Sequence, residues 1–311
     1  MIKTVVLVII LPILMGLKMS NMQRFERNLG FLSIEEQERL NNSCISIAGV
    51  GGDGGLLAIQ LSRLGVGKLK LADPEIFEIE NINRQAACNR NTIGVNKAEA
   101  IGEVIRAINP DGDVSIYNDG ISMENAEEFV KDSDLVIDET EYTRHEFAVI
   151  LARNARKYNI PNLTVMNLGF GALVTTFHPD QQTLEKILGL DEDAPINEIS
   201  DQKVSLSRWL PYIPPYADLN VFTKVDKGEM SAPSVSPGVT MAASIATTQS
   251  MLNILDGHNR RPRPIYAPRA KVVDGMTFKS KTVKFSRSSH YSHLSTVIFR
   301  NCLGLNPRTS Y

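Results

Sequence analysis

Ile45-Ser46-Ile47-Ala48-Gly49-Val50-Gly51-Gly52-Asp53-Gly54-Gly55, running on into Leu56-Leu57-Ala58-Ile59-Gln60-Leu61, decides the fold. A short apolar run breaks into five glycines and continues as an apolar helical pattern, which reads as strand, loop, helix. Gly49, Gly51 and Gly54 fit G-x-G-x-x-G, with Gly52 beside them. Residues without a Cβ allow the tight turn and let the backbone approach a phosphate, while the following helix offers unpaired N–H groups and a positive dipole end. Nineteen residues after Gly54 a second apolar run, Lys68 to Ala72, ends in Asp73. A doubly wound fold places a ribose-binding acid there.

Outward from this unit the chain repeats it. Ser33 reads as an N-cap, with Gln37 near the reciprocal capping position, and a short helix leads into the first strand. The spacing predicts helices over 55–64, 97–108 and about 146–158, a short helix over 125–130, and strands over 114–117 and 134–138. The expected fold is α/β, a doubly wound, Rossmann-like, mostly parallel sheet. Beyond Asn162 two more strands are expected, 163–169 and 172–177. Residues 181–236 lack clean periodicity and carry Trp209, Tyr212, Tyr216 and five prolines. So long an irregular stretch marks a functional or mobile crossover lobe. An apolar helix over 239–255 and a hairpin of 264–273 with 277–285 follow. The domain reading is an apolar extension over 1–23, a nucleotide-binding domain over 24–180, a crossover lobe with return helix and hairpin over 181–285, and a basic tail over 286–311.

With 311 residues, 43% hydrophobic and 22% charged, the chain can bury a sizeable core. A net charge of −2 gives no reason to expect nucleic acid as a partner, although residues 259–311 hold eleven Lys or Arg against the single acid Asp274. The three cysteines, Cys44, Cys88 and Cys302, form no C-x-x-C pair, so neither a disulfide framework nor a four-cysteine zinc site is expected. The chain reads as a reduced, cytoplasmic protein. Residues 1–23 are either an over-long start or a weak membrane tether, and membrane contact is expected only if that segment is real.

The chemistry concentrates after Asp73. Asn81, Asn83, Arg84 and Gln85, then Lys97, bring amides, a guanidinium and an ammonium into 17 residues. Arg84 can fork onto phosphate oxygens and Lys97 can act as a point charge on a phosphate. A carboxylate at a strand end, Glu141 or Asp138, can hold Mg²⁺ bridging the phosphates. This is the equipment for a triphosphate. An NAD(P)-binding oxidoreductase shares the glycine loop and Asp73 but leaves Asn81 to Lys97 unexplained. A catalytically inactive nucleotide-binding scaffold is the other alternative.

Gly49-x-Gly51-Gly52-x-Gly54, Asp73-Pro74-Glu75-Ile76-Phe77, Asn81-Ile82-Asn83-Arg84-Gln85, Gly94 to Lys97, and Asp138-Glu139-Thr140-Glu141 with Arg144 resemble the adenylation domain of the ThiF, MoeB and HesA superfamily, the bacterial relatives of ubiquitin-activating enzymes. The resemblance covers about residues 24–177 and implies ATP and Mg²⁺ binding, then adenylation of a carboxylate on a peptide or small protein. The setting would be peptide modification or the activation of ubiquitin-like or sulfur-carrier proteins. It implies Asp73 as ribose ligand and Asn81, Arg84 and Lys97 as phosphate ligands. Glu141 stands where the family usually has a metal-binding aspartate, and Pro74 where a second acid is common; both are departures. Arg24 or Arg27 resembles the arginine that reaches the partner's nucleotide in family homodimers. The paired zinc cysteines and a thioester cysteine in 181–236 are missing, as in stand-alone branches of the superfamily. Cys88, near the loop, reads as a packing residue.

Overall fold

The computed structural model describes residues 23–258 and 261–285. Eight strands form one sheet in the order β3-β2-β1-β4-β5-β6-β7-β8, where β1 is Cys44–Ala48, β2 Lys68–Ala72, β3 Asp113–Tyr117, β4 Leu135–Asp138, β5 Asn162–Leu168, β6 Gly171–Phe177, β7 Arg269–Asp274 and β8 Lys279–Lys284. The first five run parallel and the last three join antiparallel. β1 and β4 are buried along their whole length, which is why they read as continuous apolar runs rather than alternating ones. The chain leaves β1 toward β2 on one side and reaches β4 on the other. That reversal opens a crevice at the carboxyl end of β1, where ligands of such sheets bind.

The helices are α1 (Ile34–Asn41), α2 (Asp53–Leu64), α3 (Lys97–Ile108), α4 (Ala126–Val130), α5 (His145–Lys157), α6 (Leu184–Leu188), α7 (Ile196–Ser200), α8 (Leu206–Trp209), α9 (Leu219–Asp226) and α10 (Ser236–Ile254). Leu57 and Leu61 of α2, Ile101 and Ile105 of α3 and Ala242, Ala243 and Ala246 of α10 share a core with Ile45, Leu71 and Leu163 of the sheet. Phe129 and Val130 of α4 and Ile150 and Leu151 of α5 pack with Val136 in a second one. The crossover segment makes a third. Leu184, Ile187, Trp209 and Tyr212 pack on Leu173 and Phe177 of β6, Val272 of β7 and Ala148, Val149 and Ala152 of α5.

Element boundaries differ from the expectation where side-chain chemistry decides them. The capping box at α1 uses Glu36, whose carboxylate accepts from Ser33 N–H, while Gln37 is buried and donates to the Leu64 carbonyl at 2.9 Å. α2 begins at Asp53 and α10 at Ser236, where Pro237 fits a first turn that needs no N–H partner. The crossover carries four helices of four to eight residues, too short to show a period. It is pinned instead by Glu185, fully buried and bonded to Arg153 and Arg156 of α5 at 2.8 to 3.1 Å. The apolar extension and basic tail expected at the termini lie outside the described residues.

Candidate functional site

The glycines divide into two kinds. Gly49 sits at φ +89, and a Cβ on it would lie 2.1 Å from the Glu139 carbonyl oxygen; one on Gly54 would lie 2.0 Å from the Gly49 carbonyl oxygen. These two glycines let the loop, α2 and the end of β4 close on one another. At Gly51 and Gly52 a Cβ would make only ordinary contacts with side chains, the nearest being Gln85 Nε2 and Val239 Cγ2, each at 3.4 Å. The first-turn N–H groups of α2 have no acceptor within the helix. Asp73, at the end of β2, fixes the loop from the side. Its Oδ2 accepts from Val50 N–H at 2.8 Å and its Oδ1 from Glu75 N–H at 2.9 Å. Burial pushes its carboxyl above the usual range, against those N–H bonds and the Lys97 ammonium.

The loop from Asp73 to Lys97 returns to the same end of the sheet. Asn81 is buried, and its Oδ1 accepts from Glu78 N–H, so its amide also braces the loop. Gln85 is buried beside Gly51, and its Oε1 has no partner among the described residues. Arg84 donates to Asn83 Oδ1 at 2.8 Å and to the Glu80 carbonyl. Lys97, the first residue of α3, is buried, yet its Nζ lies 2.5 Å from Oε2 of exposed Glu75. The carboxylate lacking at Pro74 is therefore present one residue later. The sequence reading quoted Glu75 without giving it a role.

Glu141 lies at the mouth of the same cluster, its backbone open to solvent and its carboxyl among Glu75, Lys97 and Arg84. Burial of its carboxyl and repulsion by Glu75 push its pKa up, while Lys97 and Arg84 oppose. Asp138 is buried, accepts from Thr140 N–H and Oγ–H on one oxygen, and is pushed up to about 6 by burial. Next to it Glu139 accepts from Val165 N–H and is held well above the usual range by burial and by Asp53. Among the described residues no group of three His, Cys, Asp or Glu forms a metal cage. Mg²⁺ in phosphate sites is held by one or two carboxylates, with phosphates and water completing its shell, so a single carboxylate beside two cations fits it. The glycine loop at the start of α2, with Arg84 and Lys97 beside Asp73, fits the phosphates.

Arg24 and Arg27 are not brought to this site. Arg24 is paired with Asp111 at 2.6 Å and bonded to Asn109, the residue that ends α3. Lys97 begins that helix, so the two ends stand about 18 Å apart. Arg27 is exposed within a single 3₁₀ turn, Glu26–Asn28. Cys88 donates its thiol to the Glu78 carbonyl, and burial pushes the thiol up, which suits packing rather than nucleophilic attack.

Three residues have no role in the sequence reading, although Ser231-Ala232-Pro233-Ser234 weakly extends the resemblance. Asp53 Oδ2 accepts from Asn167 N–H at 3.0 Å, and Asn167 Nδ2 donates to both Asp53 oxygens. Ser234 Oγ donates to Asn167 Oδ1 at 3.0 Å. A carboxylate inside a glycine loop, three residues from a run of leucines, was the one local signal.

Comparison with known proteins gives concordant matches. The ThiF family description matches residues 25–294. A probable molybdopterin-synthase adenylyltransferase of Porphyra purpurea is 37% identical over 110 residues, 35% of this chain and 29% of that protein. Protein HesA of Leptolyngbya boryana is 28% identical over 54% of this chain and 61% of its own length. The chain thus spans less than two thirds of either relative. The crystal structure of E. coli MccB with ATP superposes with a TM-score of 0.60 over 81% of this chain and 66% of that one, at 17% identity, a likeness of fold.

Proposed function

The chain belongs to the ThiF family, and we propose from that premise that it is an ATP-dependent adenylyltransferase acting on a carboxylate of a peptide or small protein. The observation that carries the reading is the convergence of Lys97, Arg84, Glu75 and Glu141 beside the glycine loop and Asp73. An NAD(P)-binding oxidoreductase has no use for that cluster.

In this reading the lone pairs that Asp73 keeps beyond its two backbone bonds take the ribose hydroxyls. The loop and the start of α2 take phosphate oxygens. Arg84 and Lys97 act where negative charge builds up. Glu141 holds Mg²⁺, which supplies charge neutralisation across the phosphates. The substrate carboxylate oxygen bonds to the α-phosphorus, and the bond from that phosphorus to the bridging oxygen breaks. Pyrophosphate leaves with the electron pair, and the acyl adenylate remains. Neither described cysteine is placed to take the acyl group, since Cys44 and Cys88 are both buried, so an amine or other nucleophile of the substrate or a partner consumes the adenylate. The active unit is a cytoplasmic homodimer in which Arg27, exposed at the surface, reaches the partner's nucleotide.

Isothermal titration with ATP·Mg²⁺ and with NADH tests the reading. Binding of ATP·Mg²⁺ alone, with pyrophosphate exchange into ATP when peptide carboxylates are supplied, is expected. Binding of NADH in place of ATP overturns it, and ATP binding without exchange leaves the inactive scaffold.

A further inference from the structure

Four separate elements meet through one line of hydrogen bonds. It starts at Asp53, in the first turn of α2, and passes to Asn167 near the end of β5. It continues to Ser234, just before α10, whose carbonyl accepts from Asn83 Nδ2 at 3.1 Å. Asn83 Oδ1 in turn accepts from Arg84. We propose that Asp53 is a positioning residue, which sets the Arg84 guanidinium and the 231–235 segment through Asn167, Ser234 and Asn83. The inference rests on the adenylation reading for the task of Arg84, but the linkage itself does not.

The direction of each bond follows from the first. An ionised Asp53 only accepts, so the Asn167 amide must turn its nitrogen to Asp53 and its oxygen to Ser234. Ser234 must then donate its hydroxyl proton to that oxygen. An amide whose ends are fixed in this way holds its neighbours in a single arrangement, whereas an apolar residue at 53 would leave Asn167 able to turn over. Among the described residues, Asn83 is the one side chain bonded to Arg84. The guanidinium is thus placed by an amide that the 231–235 segment holds. Asp53 is buried, and its ionised form is costly there apart from the Asn167 bonds and the Arg84 charge. A structure that kept a carboxylate at this point without a use for its two acceptor oxygens would be less stable than one with Leu.

The test is a donor–acceptor swap in the full-length protein. Asp53→Asn sets an amide nitrogen against the Asn167 donors, and Asn167→Asp sets two carboxylates face to face. Each single variant is expected to lower kcat for pyrophosphate exchange about tenfold or more, with KM for ATP changed less than about threefold. Asp53→Asn with Asn167→Asp restores the complementary faces and still leaves an acceptor for Ser234, so kcat returns to within about threefold of the wild type. Adding Ser234→Ala to the swap removes the rescue. Hydrogen exchange measured without any nucleotide supplies the independent readout, with faster exchange at 231–235 in both single variants and recovery in the swap. A swap that folds but rescues neither kcat nor exchange protection overturns the proposal, as does an Asp53→Asn variant with unchanged kcat. If the wild type neither binds ATP nor exchanges pyrophosphate while the hydrogen-exchange pattern holds, the adenylation reading fails and the Asp53 linkage stands.

Discussion

The glycine-loop side of the sheet and the crossover segment over its antiparallel end are held by different forces. On the first side, backbone meets backbone. Gly54 lies against the Gly49 carbonyl, Gly49 against that of Glu139, and Asp73 grips two main-chain N–H groups. On the other side, the crossover lies on Leu173 and Phe177 through Trp209, Tyr212 and Leu184, and is fastened by side-chain bonds, among them those of Glu185 to Arg153 and Arg156 and that of Tyr216 to Phe170 N–H. Close backbone packing tolerates almost no change and leaves the site preformed. A lobe that rests on side chains opens locally at lower cost.

If that contrast is right, charge at the rigid side governs the rate. Lys97→Ala removes an ammonium whose partner, Glu75, is exposed and returns to water, so the fold loses little. Loss of several kcal/mol of transition-state stabilisation is expected, on the order of hundreds-fold in pyrophosphate exchange, with Tm nearly unchanged. Exchange at the wild-type rate breaks the assignment of the site to this cluster.

The glycines sharpen the contrast next. Gly54→Ala drives a Cβ to 2.0 Å from a main-chain oxygen and should cost about 3 kcal/mol or more, seen as a lower urea midpoint. Gly52→Ala meets only a valine methyl at 3.4 Å and should cost under about 1 kcal/mol. Its effect should instead appear as weaker ATP binding, since the methyl crowds the loop proposed to hold the phosphates. Equal loss of stability in the two variants contradicts the division into packing and cradle glycines.

A third test uses the cost of acids at the rigid side. Burial holds Asp138 at about 6, above the ordinary 3.8, so the folded state binds the proton more tightly than the unfolded one. This group stabilises the fold below about pH 4, and the contribution is lost as pH rises through about 6. Asp138→Asn does not titrate and keeps an oxygen for Thr140. Its advantage in unfolding free energy over the wild type should be absent near pH 4 and reach on the order of 2 kcal/mol near pH 8. An advantage that does not change with pH rejects the sign. If Asp138 also helps hold Mg²⁺, the same variant binds ATP·Mg²⁺ less tightly.

The contrast also explains what could be read in advance. Parallel strands buried on both faces give unbroken apolar runs, and glycines forced by backbone contact leave a spacing, so β1, β4, the loop, Asp73 and the start of α3 at Lys97 were legible. Asp53, Asn167 and Ser234 were not, because 114 and 67 residues separate the bonded pairs and no local pattern encodes a long-range bond. Glu75 was not either, because its partner Lys97 is 22 residues away. The four crossover helices escaped because each is shorter than the window that reveals a period.

The smallest effect tests whether the crossover opens by itself. Tyr216 Oη accepts from Phe170 N–H at 3.1 Å, in the turn between β5 and β6, and the two rings meet edge to face at 6.1 Å. Tyr216→Phe keeps the ring, its packing on Gly169 and the edge contact, and removes the hydroxyl, which accepts from Phe170 N–H and faces buried Asp274. Phe170 sits at an exposed turn, so its N–H turns to water, and with the contact to Asp274 also lost the cost is about 1 kcal/mol or more. Were the molecule one cooperative unit, that cost would lower global stability and leave the crossover protected. In a crossover held apart from the rigid side, it falls on local opening: amide exchange across 205–230 should rise about fivefold, while the urea midpoint and the affinity for ATP stay unchanged. A fall in the urea midpoint without faster exchange in that segment would show that the two regions unfold together.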